Sequence, residues 1–198
     1  MAQQFKPDLI KAEWIEQALA RYLNLKGWDT VKKDYRLFNY DLDCQTPVGL
    51  RTLEVKALDW LMKGYDQFVL EIFQDDNQTR YPAWIKHIDD INNIVFIKMS
   101  TGEAFFFDAA TLHNKFMDLL KQGRQPRQAH AGKSNRNDCP GWVYFVPQES
   151  KDYGFINKVS IIDHIYDTIP QHKQVLQFKD ANKVAHAYKA KLGRPPAP

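Results

Sequence analysis

Two short segments of alternating polar and apolar residues, joined by a turn, constrain this chain more than any other feature. They cover residues 40–43 and residues 53–57. Side chains alternate between the two faces of a strand, so Glu54 and Lys56 share one face while the apolar residues beside them share the other. The connection, residues 44–50, contains a proline and a glycine, which is typical of a hairpin. We therefore expect two neighbouring strands that carry charged side chains to one surface.

The acidic residues of this hairpin predict a site for a divalent cation. Asp41 and Asp43 lie on the same face of the first strand, so either carboxylate can approach Glu54. Hard oxygen ligands suit Mg²⁺ or Mn²⁺ and leave coordination positions for water and a phosphate oxygen. A lysine beside the ion, here Lys56, orients the water or stabilises charge on the phosphate. The alternative is a hairpin edge that simply carries alternating charges.

An Asp, a variable gap and then Glu-x-Lys resembles the pattern of the PD-(D/E)XK nuclease superfamily, which has the restriction-endonuclease-like fold. Asp41 is preferred to Asp43 because its distance from Glu54 and the apolar residue after it look like the family pattern. The resemblance implies that Asp41, Glu54 and the carbonyl of Val55 hold Mg²⁺, for which Mn²⁺ can substitute. It also implies that Lys56 places the attacking water, and that hydrolysis leaves a 5′-phosphate.

The segment before the hairpin predicts a helix over residues 7–26 that ends at Gly27. Glu13 and Glu16 lie on its polar side, away from the apolar stripe that includes Trp14, so we expect both to be solvated. In many nucleases of the superfamily an acid from the first helix completes the metal site, and Glu16 is marginally preferred for that role. Tyr40 stands where the proline of the family name would be, a departure that the superfamily commonly shows.

The segment after the hairpin strengthens the resemblance. Residues 67–73 predict a strand in which Glu71 lies among apolar residues, where a buried carboxylate needs a cation, a donor or water. The order of this strand, a segment ending in Lys86 and the apolar strand 94–99 looks like small phage and archaeal-virus nucleases. Glu71 is thus either a metal contact or a strand-end residue paired to a lysine, and Lys86 either approaches a phosphate or is a surface lysine.

Further elements follow from periodicity and from turn residues. A hairpin is expected over residues 94–107, and Asp108 is expected to cap a helix that stops at Gly123. Two more strands are expected at residues 142–146 and 155–162. The predicted fold class is α/β, with a mixed central sheet of about five strands flanked by helices and followed by a C-terminal helical extension.

A basic loop at about residues 122–140 is the clearest shift in composition. It contains Arg124, Arg127, Lys133 and Arg136 and no acid before Asp138, and its Gly, Pro, Ser and Asn content disfavours regular structure. Beside a nuclease site such a loop would attract phosphates independently of sequence, through counterion release. The alternative is a solvated insertion without a partner.

Length and composition favour one folded domain, residues 1–162, followed by a helical extension over residues 163–192 and a disordered tail over residues 193–198. The 198 residues are 44% hydrophobic, and 27 Lys and Arg face 24 Asp and Glu, a balance that permits nucleic-acid binding. Cys44 and Cys139 are far apart and form no zinc or disulfide pattern. No stretch approaches 18 apolar residues, and the N-terminus lacks the regions of a signal peptide, so we expect no membrane partner and a cytoplasmic location.

These features predict a Mg²⁺-dependent nuclease acting on DNA, with an endonuclease favoured, that is phage-encoded or carried by a mobile element. Many enzymes of the superfamily cut duplexes as dimers, so a homodimer is compatible with the resemblance. Two alternatives stay open. One is a catalytically inactive nuclease-like protein that binds nucleic acid or a host protein, and the other is a structural or replication accessory protein with an accidental motif. The choice between DNA and RNA and the preferred substrate structure are also open.

Overall fold

The computed structural model describes residues 5–34, 37–58, 67–74, 77–98, 101–128, 142–165 and 167. Two of the predicted basic-loop residues, Lys133 and Arg136, lie outside the described residues. So do almost all of the expected C-terminal extension and the whole of the expected tail. Within the described residues, no helix has the length and apolar character needed to cross a membrane.

The described helices include α1, Phe5–Leu25, α2, Ala83–Lys86, and α3, Ala109–Lys121. Helices α1 and α3 form where the sequence predicts helical segments, whereas α2 was not predicted. Helix α1 ends at a turn in which Gly27 adopts a positive φ of 85°, a conformation that favours glycine. Helix α3 begins after Asp108, whose carboxylate accepts a 2.8 Å hydrogen bond from the N–H of Thr111. The prediction that Asp108 caps this helix is confirmed.

A mixed six-stranded sheet forms the centre of the fold, in the order β1-β2-β3-β5-β6-β9. Strands β3 and β5 run parallel, while the other neighbouring pairs are antiparallel. The bounds are β1, Asp29–Lys32, β2, Leu42–Thr46, β3, Gly49–Leu58, β5, Asn93–Lys98, β6, Glu103–Asp108, and β9, Phe155–Ser160. The coarse expectation of an α/β fold with a mixed central sheet is confirmed.

A second sheet of three strands was not predicted. Its order is β4-β8-β7, with bounds β4, Gln67–Phe73, β7, Arg127–Gln128, and β8, Trp142–Pro147. The central sheet has six strands where about five were expected, and the second sheet is an addition to the predicted fold. The expectation that the basic segment lacks regular structure is wrong at Arg127–Gln128, which pairs with β8. Local periodicity indicates that a segment is a strand, but the choice of its partner depends on residues far along the chain.

The hairpin of β2 and β3 is tighter than predicted. Strand β2 begins at Leu42, after a turn in which the N–H groups of Leu37 and Phe38 donate to the carbonyl of Asp34. Pairing extends to Thr46 opposite Gly49, so only two residues separate the strands. Asp41 thus lies just before β2 and not inside a strand.

Two apolar cores lie on the two faces of the central sheet. On one face, α1 packs onto the sheet through fully buried Trp14 and Ala18, together with Leu53 of β3 and Val95 of β5. The other face contacts β4, β8 and α3 through a second cluster, in which the rings of Phe68 and Phe96 stack with centroids 4.6 Å apart. The sheet is therefore covered on both faces, which defines the direction in which each side chain of β3 points.

Candidate functional site

Glu54 and Lys56 lie on the face of β3 opposite to α1. The residues that alternate with them, Leu53 and Val55, contribute to the cluster beneath α1. Across the parallel pair, Glu54 is in register with Ile94 and Lys56 with Phe96, and both of these apolar residues belong to the second cluster. The two charged side chains are therefore placed at the border of an apolar core.

Asp41 is held next to these residues by three hydrogen bonds. Its N–H donates to the carbonyl of Leu53 at 2.9 Å, and its carbonyl accepts from the N–H of Lys33 at 2.8 Å. Its carboxylate accepts from the N–H of Val55 at 2.7 Å. The register of the hairpin, extended by one residue past Leu42, places Asp41 opposite Glu54. The structure therefore brings together Asp41, Glu54 and Lys56, as the sequence pattern predicts.

The carbonyl of Val55 lies on the same edge of β3 as Asp41. The N–H and the carbonyl of one strand residue point to the same neighbour, and the N–H of Val55 points to the Asp41 carboxylate. Strand β2 begins only at Leu42, so no β2 backbone group continues the ladder beyond Asp41. A carbonyl oxygen, two carboxylates and an ammonium group thus converge at this end of the hairpin.

Glu54 and Lys56 form an ion pair through Glu54 Oε1 and Lys56 Nζ. Burial opposes the positive charge of Lys56, but the contact with Glu54 and the charges of Asp41 and Glu71 outweigh it and raise the pKa of the ammonium. Lys56 therefore stays protonated at neutral pH. It serves the site as a cation and hydrogen-bond donor and not as a base.

The surroundings of Asp41 change the protonation of its carboxyl group. Burial raises the pKa of its carboxyl, and the negative charges of Glu54 and Glu16 raise it further, to about 8. The hydrogen bond from Val55 and the charge of Lys56 act in the opposite direction but are weaker. In the absence of a cation, Asp41 therefore keeps its proton at neutral pH.

Glu16 of α1 is buried, which corrects the expectation that it is solvated. Only 8% of the residue is exposed, whereas 42% of the Glu13 side chain is exposed. Lys32 of β1 lies 3.0 Å from the Glu16 carboxylate and 3.7 Å from that of Glu13. Burial raises the pKa of Glu16, and the Lys32 contact offsets part of this change. The helical wheel placed Glu16 correctly on the polar side, but that side packs against the β1 end of the sheet.

Glu71 approaches the site from the second sheet. It lies on the less buried face of β4, and its carboxylate accepts a 3.3 Å hydrogen bond from the side chain of Gln74. Its charge contributes to the raised pKa of Lys56. Glu71 is therefore an electrostatic neighbour of Lys56.

Asp43 is directed to a different partner. Its carboxylate pairs with Lys33, and one of its oxygens is buried without a hydrogen bond among the described residues. Burial and the nearby Asp43 carboxylate, with a smaller effect of Asp90, raise the pKa of Tyr40. The structure thus separates two acids that strand alternation alone left equivalent, since Asp41 bonds to β3 and Asp43 pairs with a lysine.

The remaining predicted residues lie apart from this group. Lys86 is exposed at the end of α2, and within the described chain it forms no ion pair with Glu54 or Asp41. Arg124 is exposed after α3, and its carbonyl accepts a hydrogen bond from the Tyr144 hydroxyl.

Arg127 is also exposed. Its guanidinium group lies 5.5 Å from the centre of the Phe145 ring, within the range of cation–π contacts. Arg124 and Arg127 are thus available at the surface, and neither contacts the Glu54–Lys56 pair.

Sequence reasoning did not identify Lys32 as a neighbour of the site. It lies in a four-residue strand and pairs with an acid 16 positions earlier in a helix, a contact that no local pattern predicts. Its position next to Lys33 before a turn resembles an ordinary basic surface segment. Only the packing of α1 against β1 shows that Lys32 compensates a buried carboxylate.

The oxygen ligands at this site suit a hard divalent cation for which the protein supplies only a few of the ligands. In the described part of the chain, no three His, Cys, Asp or Glu side chains are grouped to hold a metal ion. Mg²⁺ needs no such group, because it commonly keeps several waters and binds through one or two carboxylates together with substrate phosphate. Asp41, Glu54 and the Val55 carbonyl supply oxygen ligands of the kind that such an ion prefers.

Comparisons with known proteins do not extend this picture. No protein-family model matches the chain, and no significant match is found among curated proteins or among solved structures.

Proposed function

We propose that this chain is a metal-dependent nuclease of the PD-(D/E)XK type, with a restriction-endonuclease-like core, that hydrolyses phosphodiester bonds of DNA. The observation that carries the proposal is the convergence of Asp41, Glu54 and Lys56 at the open end of one hairpin. A carboxylate pair beside a charged lysine has no evident structural purpose at this place. Like charges repel there, and burial of each charge costs free energy.

Each residue has a distinct role in this proposal. Asp41, Glu54 and the carbonyl of Val55 hold the cation, which supplies charge to neutralise the phosphate and to lower the pKa of a bound water. The hydrogen bond from the Val55 N–H fixes the rotamer of Asp41, so its second carboxylate oxygen is left for coordination. Glu16, compensated by Lys32, adds negative potential that favours a cation at the site.

Lys56 acts on the substrate side. Its ammonium stays protonated because Glu54, Asp41 and Glu71 favour the charged form more than burial disfavours it. It can donate hydrogen bonds to the attacking water and to a phosphate oxygen, and it stabilises negative charge that develops on the phosphate. The proton of the water must then pass to solvent or to the substrate, since Lys56 does not accept it.

The choice of DNA as substrate rests on charge and on the resemblance stated from the sequence. The chain carries a net charge of +3, and Arg124 and Arg127 are exposed near the segment that the sequence marks as basic. Contacts of this kind bind phosphates without reading bases.

The test is cleavage of end-labelled single-stranded, duplex, flap and branched DNA, with RNA alongside, in Mg²⁺, Mn²⁺ or EDTA. Wild type should cut at least one substrate only with metal. Lys56→Ala and Glu54→Gln should each lower the rate by about 100-fold or more, the range expected for loss of a catalytic group.

Matched controls separate chemistry from general charge effects. Lys121→Ala and Glu149→Gln change the same residue types at exposed positions and should leave cleavage unchanged. Metal-independent cutting, or equal rates for Lys56→Ala and Lys121→Ala, would reject the assigned site. Binding of DNA without any cutting would instead favour the inactive nuclease-like protein.

A further inference from the structure

A polar cleft of about 440 Å³ lies at the beginning of α3, apart from the Asp41–Glu54–Lys56 group. Its volume is within the range of small-molecule and cofactor pockets. Arg51 of β3, Asp89 and Asn92 supply hydrogen-bonding groups to its wall, and Ile88 and Ile91 supply apolar surface. The cleft thus combines apolar side chains with charged groups of both signs.

Arg51 and Asp89 are available to a ligand. Both residues are exposed, and within the described ranges neither side chain forms a hydrogen bond or an ion pair, including with the other. A ligand with acceptors on one edge and donors on another would pair with both groups at once.

Other polar groups of the cleft are partly used by the protein. The Asn92 side-chain oxygen accepts a 2.9 Å hydrogen bond from the N–H of Thr52, which leaves its NH₂ group for the cleft. The carboxylate of Asp108 is engaged by Thr111 at the start of α3. His113 and Asn114 of α3 also line the cleft, so its polar wall offers a guanidinium, a carboxylate, an imidazole and amide groups.

We infer that this cleft is a binding site for a guanine base. Guanine presents two adjacent acceptors, O6 and N7, that match the guanidinium fork of Arg51. It also presents two adjacent donors, N1–H and the N2 amino group, that match the carboxylate of Asp89. Adenine and thymine lack two adjacent acceptors on one edge, and cytosine has only one amino group for a carboxylate. The ring would lie against Ile88, which is partly exposed, since Ile91 is only 4% exposed and offers little surface.

The cleft and the candidate active site both use residues of β3. Arg51 precedes Glu54 by three residues, or roughly 10 Å at about 3.3 Å per strand residue, so strand alternation places the Arg51 side chain on the other face of β3 from Glu54 and Lys56. This inference rests on the proposed function in one respect, namely that the guanine belongs to a nucleic-acid strand.

The experiment measures binding without cleavage. Guanosine, inosine, adenosine and cytidine monophosphates are titrated by calorimetry into the full chain in EDTA, for wild type, Arg51→Gln and Asp89→Asn. Guanosine monophosphate should bind about tenfold or more tightly than the adenosine and cytidine nucleotides. Inosine monophosphate lacks only the N2 amino group, so it should bind several-fold more weakly than guanosine monophosphate.

The two variants show which side chain binds which edge of the base. Asp89→Asn should weaken binding of guanosine monophosphate about tenfold and remove its advantage over inosine monophosphate, whereas Arg51→Gln should weaken both. Asp118→Asn and Lys121→Gln, an exposed acid and base on α3, are the matched controls and should change nothing. Equal affinity for all four nucleotides, no binding at millimolar concentration, or a guanine preference that survives Asp89→Asn would overturn the inference.

Two further arms keep this result separate from the nuclease proposal. Glu54→Gln should bind guanosine monophosphate as wild type does, so failure of catalysis and failure of the cleft are distinguishable. Single-stranded oligonucleotides with one guanine or one inosine then identify the source of the base. A guanine preference in the oligonucleotide supports a subsite for the strand, whereas a preference confined to the mononucleotide retains the guanine site but assigns it to a free nucleotide.

Discussion

The backbone N–H of Val55 donates a 2.7 Å hydrogen bond to the carboxylate of Asp41. This bond links Asp41 to β3 at the end of the β2–β3 hairpin that lies away from its turn, and it holds Asp41 opposite Glu54. Because a second carboxylate is close and burial is extensive, the Asp41 carboxyl keeps its proton to about pH 8. One short bond thus connects the fold of the hairpin to the electrostatics of the candidate site.

The first prediction concerns the pH dependence of stability in EDTA. The Asp41 pKa is about 8 in the folded protein against an ordinary value of 3.8, so the folded state binds more protons between these values. The free energy of unfolding should therefore fall as pH rises from about 4 to about 8, by at most about 1.4 kcal/mol per pH unit from this group. Asp41→Asn cannot ionise but still accepts from Val55, so its stability should decline less over this range.

Urea unfolding at pH 5, 6, 7, 8 and 9 measures this difference. The free energy of unfolding of Asp41→Asn should rise relative to that of wild type as pH rises, with no further gain well above pH 8. Asp118→Asn, an exposed acid on α3, is the control and should follow the wild-type curve. Parallel curves for wild type and Asp41→Asn would contradict the raised pKa.

The second prediction concerns the Glu54–Lys56 pair. Removal of either partner leaves the other charged group at the border of an apolar core, so Glu54→Gln and Lys56→Met should each destabilise the protein by about 1–3 kcal/mol. The double variant should lose less than the sum of the two, with a coupling free energy of about 0.5–3 kcal/mol. Chemical unfolding of the four proteins gives this value. The exposed Glu149–Lys158 pair should show little coupling, and equal coupling in both cycles would argue against a special environment.

The third prediction concerns stabilisation by metal. An ion that binds only the folded state raises the free energy of unfolding, by about 2.7 kcal/mol at 100 times its dissociation constant. Thermal unfolding with increasing Mn²⁺ or Mg²⁺ should show this rise for wild type and not for Glu54→Gln. Glu13→Gln changes an exposed acid on α1 and should respond as wild type does. An equal response of Glu54→Gln would place the ion elsewhere.

The fourth prediction concerns Gly102, at the turn between β5 and β6. Its φ is +67°, and a Cβ added there would lie 2.5 Å from the Cβ of Ile162. Gly27 has a φ of +85° but no atom within 4 Å of an added Cβ, so Gly27→Ala measures the backbone strain alone, about 1–2 kcal/mol. Gly102→Ala should cost clearly more in urea unfolding, because it also displaces the segment at Ile162. An equal loss of stability in Gly27→Ala and Gly102→Ala would mean that the backbone around Ile162 shifts without a cost in free energy.

Strand alternation and helical periodicity were enough to locate most elements. Strand β4 forms over Gln67–Phe73 as predicted, and α3 follows its predicted cap at Asp108. The shared face of Glu54 and Lys56 also follows from alternation alone, since a strand has a period of two residues. These features depend on neighbours within a few positions of the chain, and such information is fully present in the sequence.

The tertiary structure decided which segments meet. Pairing of β4 with β8 joins Gln67 to Pro147, and packing of α1 against β1 buries Glu16 beside Lys32. It also gave Asp41 and Asp43 different partners, Val55 and Lys33, although alternation treats the two acids as equivalent. These outcomes depend on contacts between residues far apart in the chain, where burial and charge are set by the partner element and not by the local pattern. The sequence alone therefore determined the candidate groups and the shared strand of Glu54 and Lys56, and only the packed fold determined their surroundings.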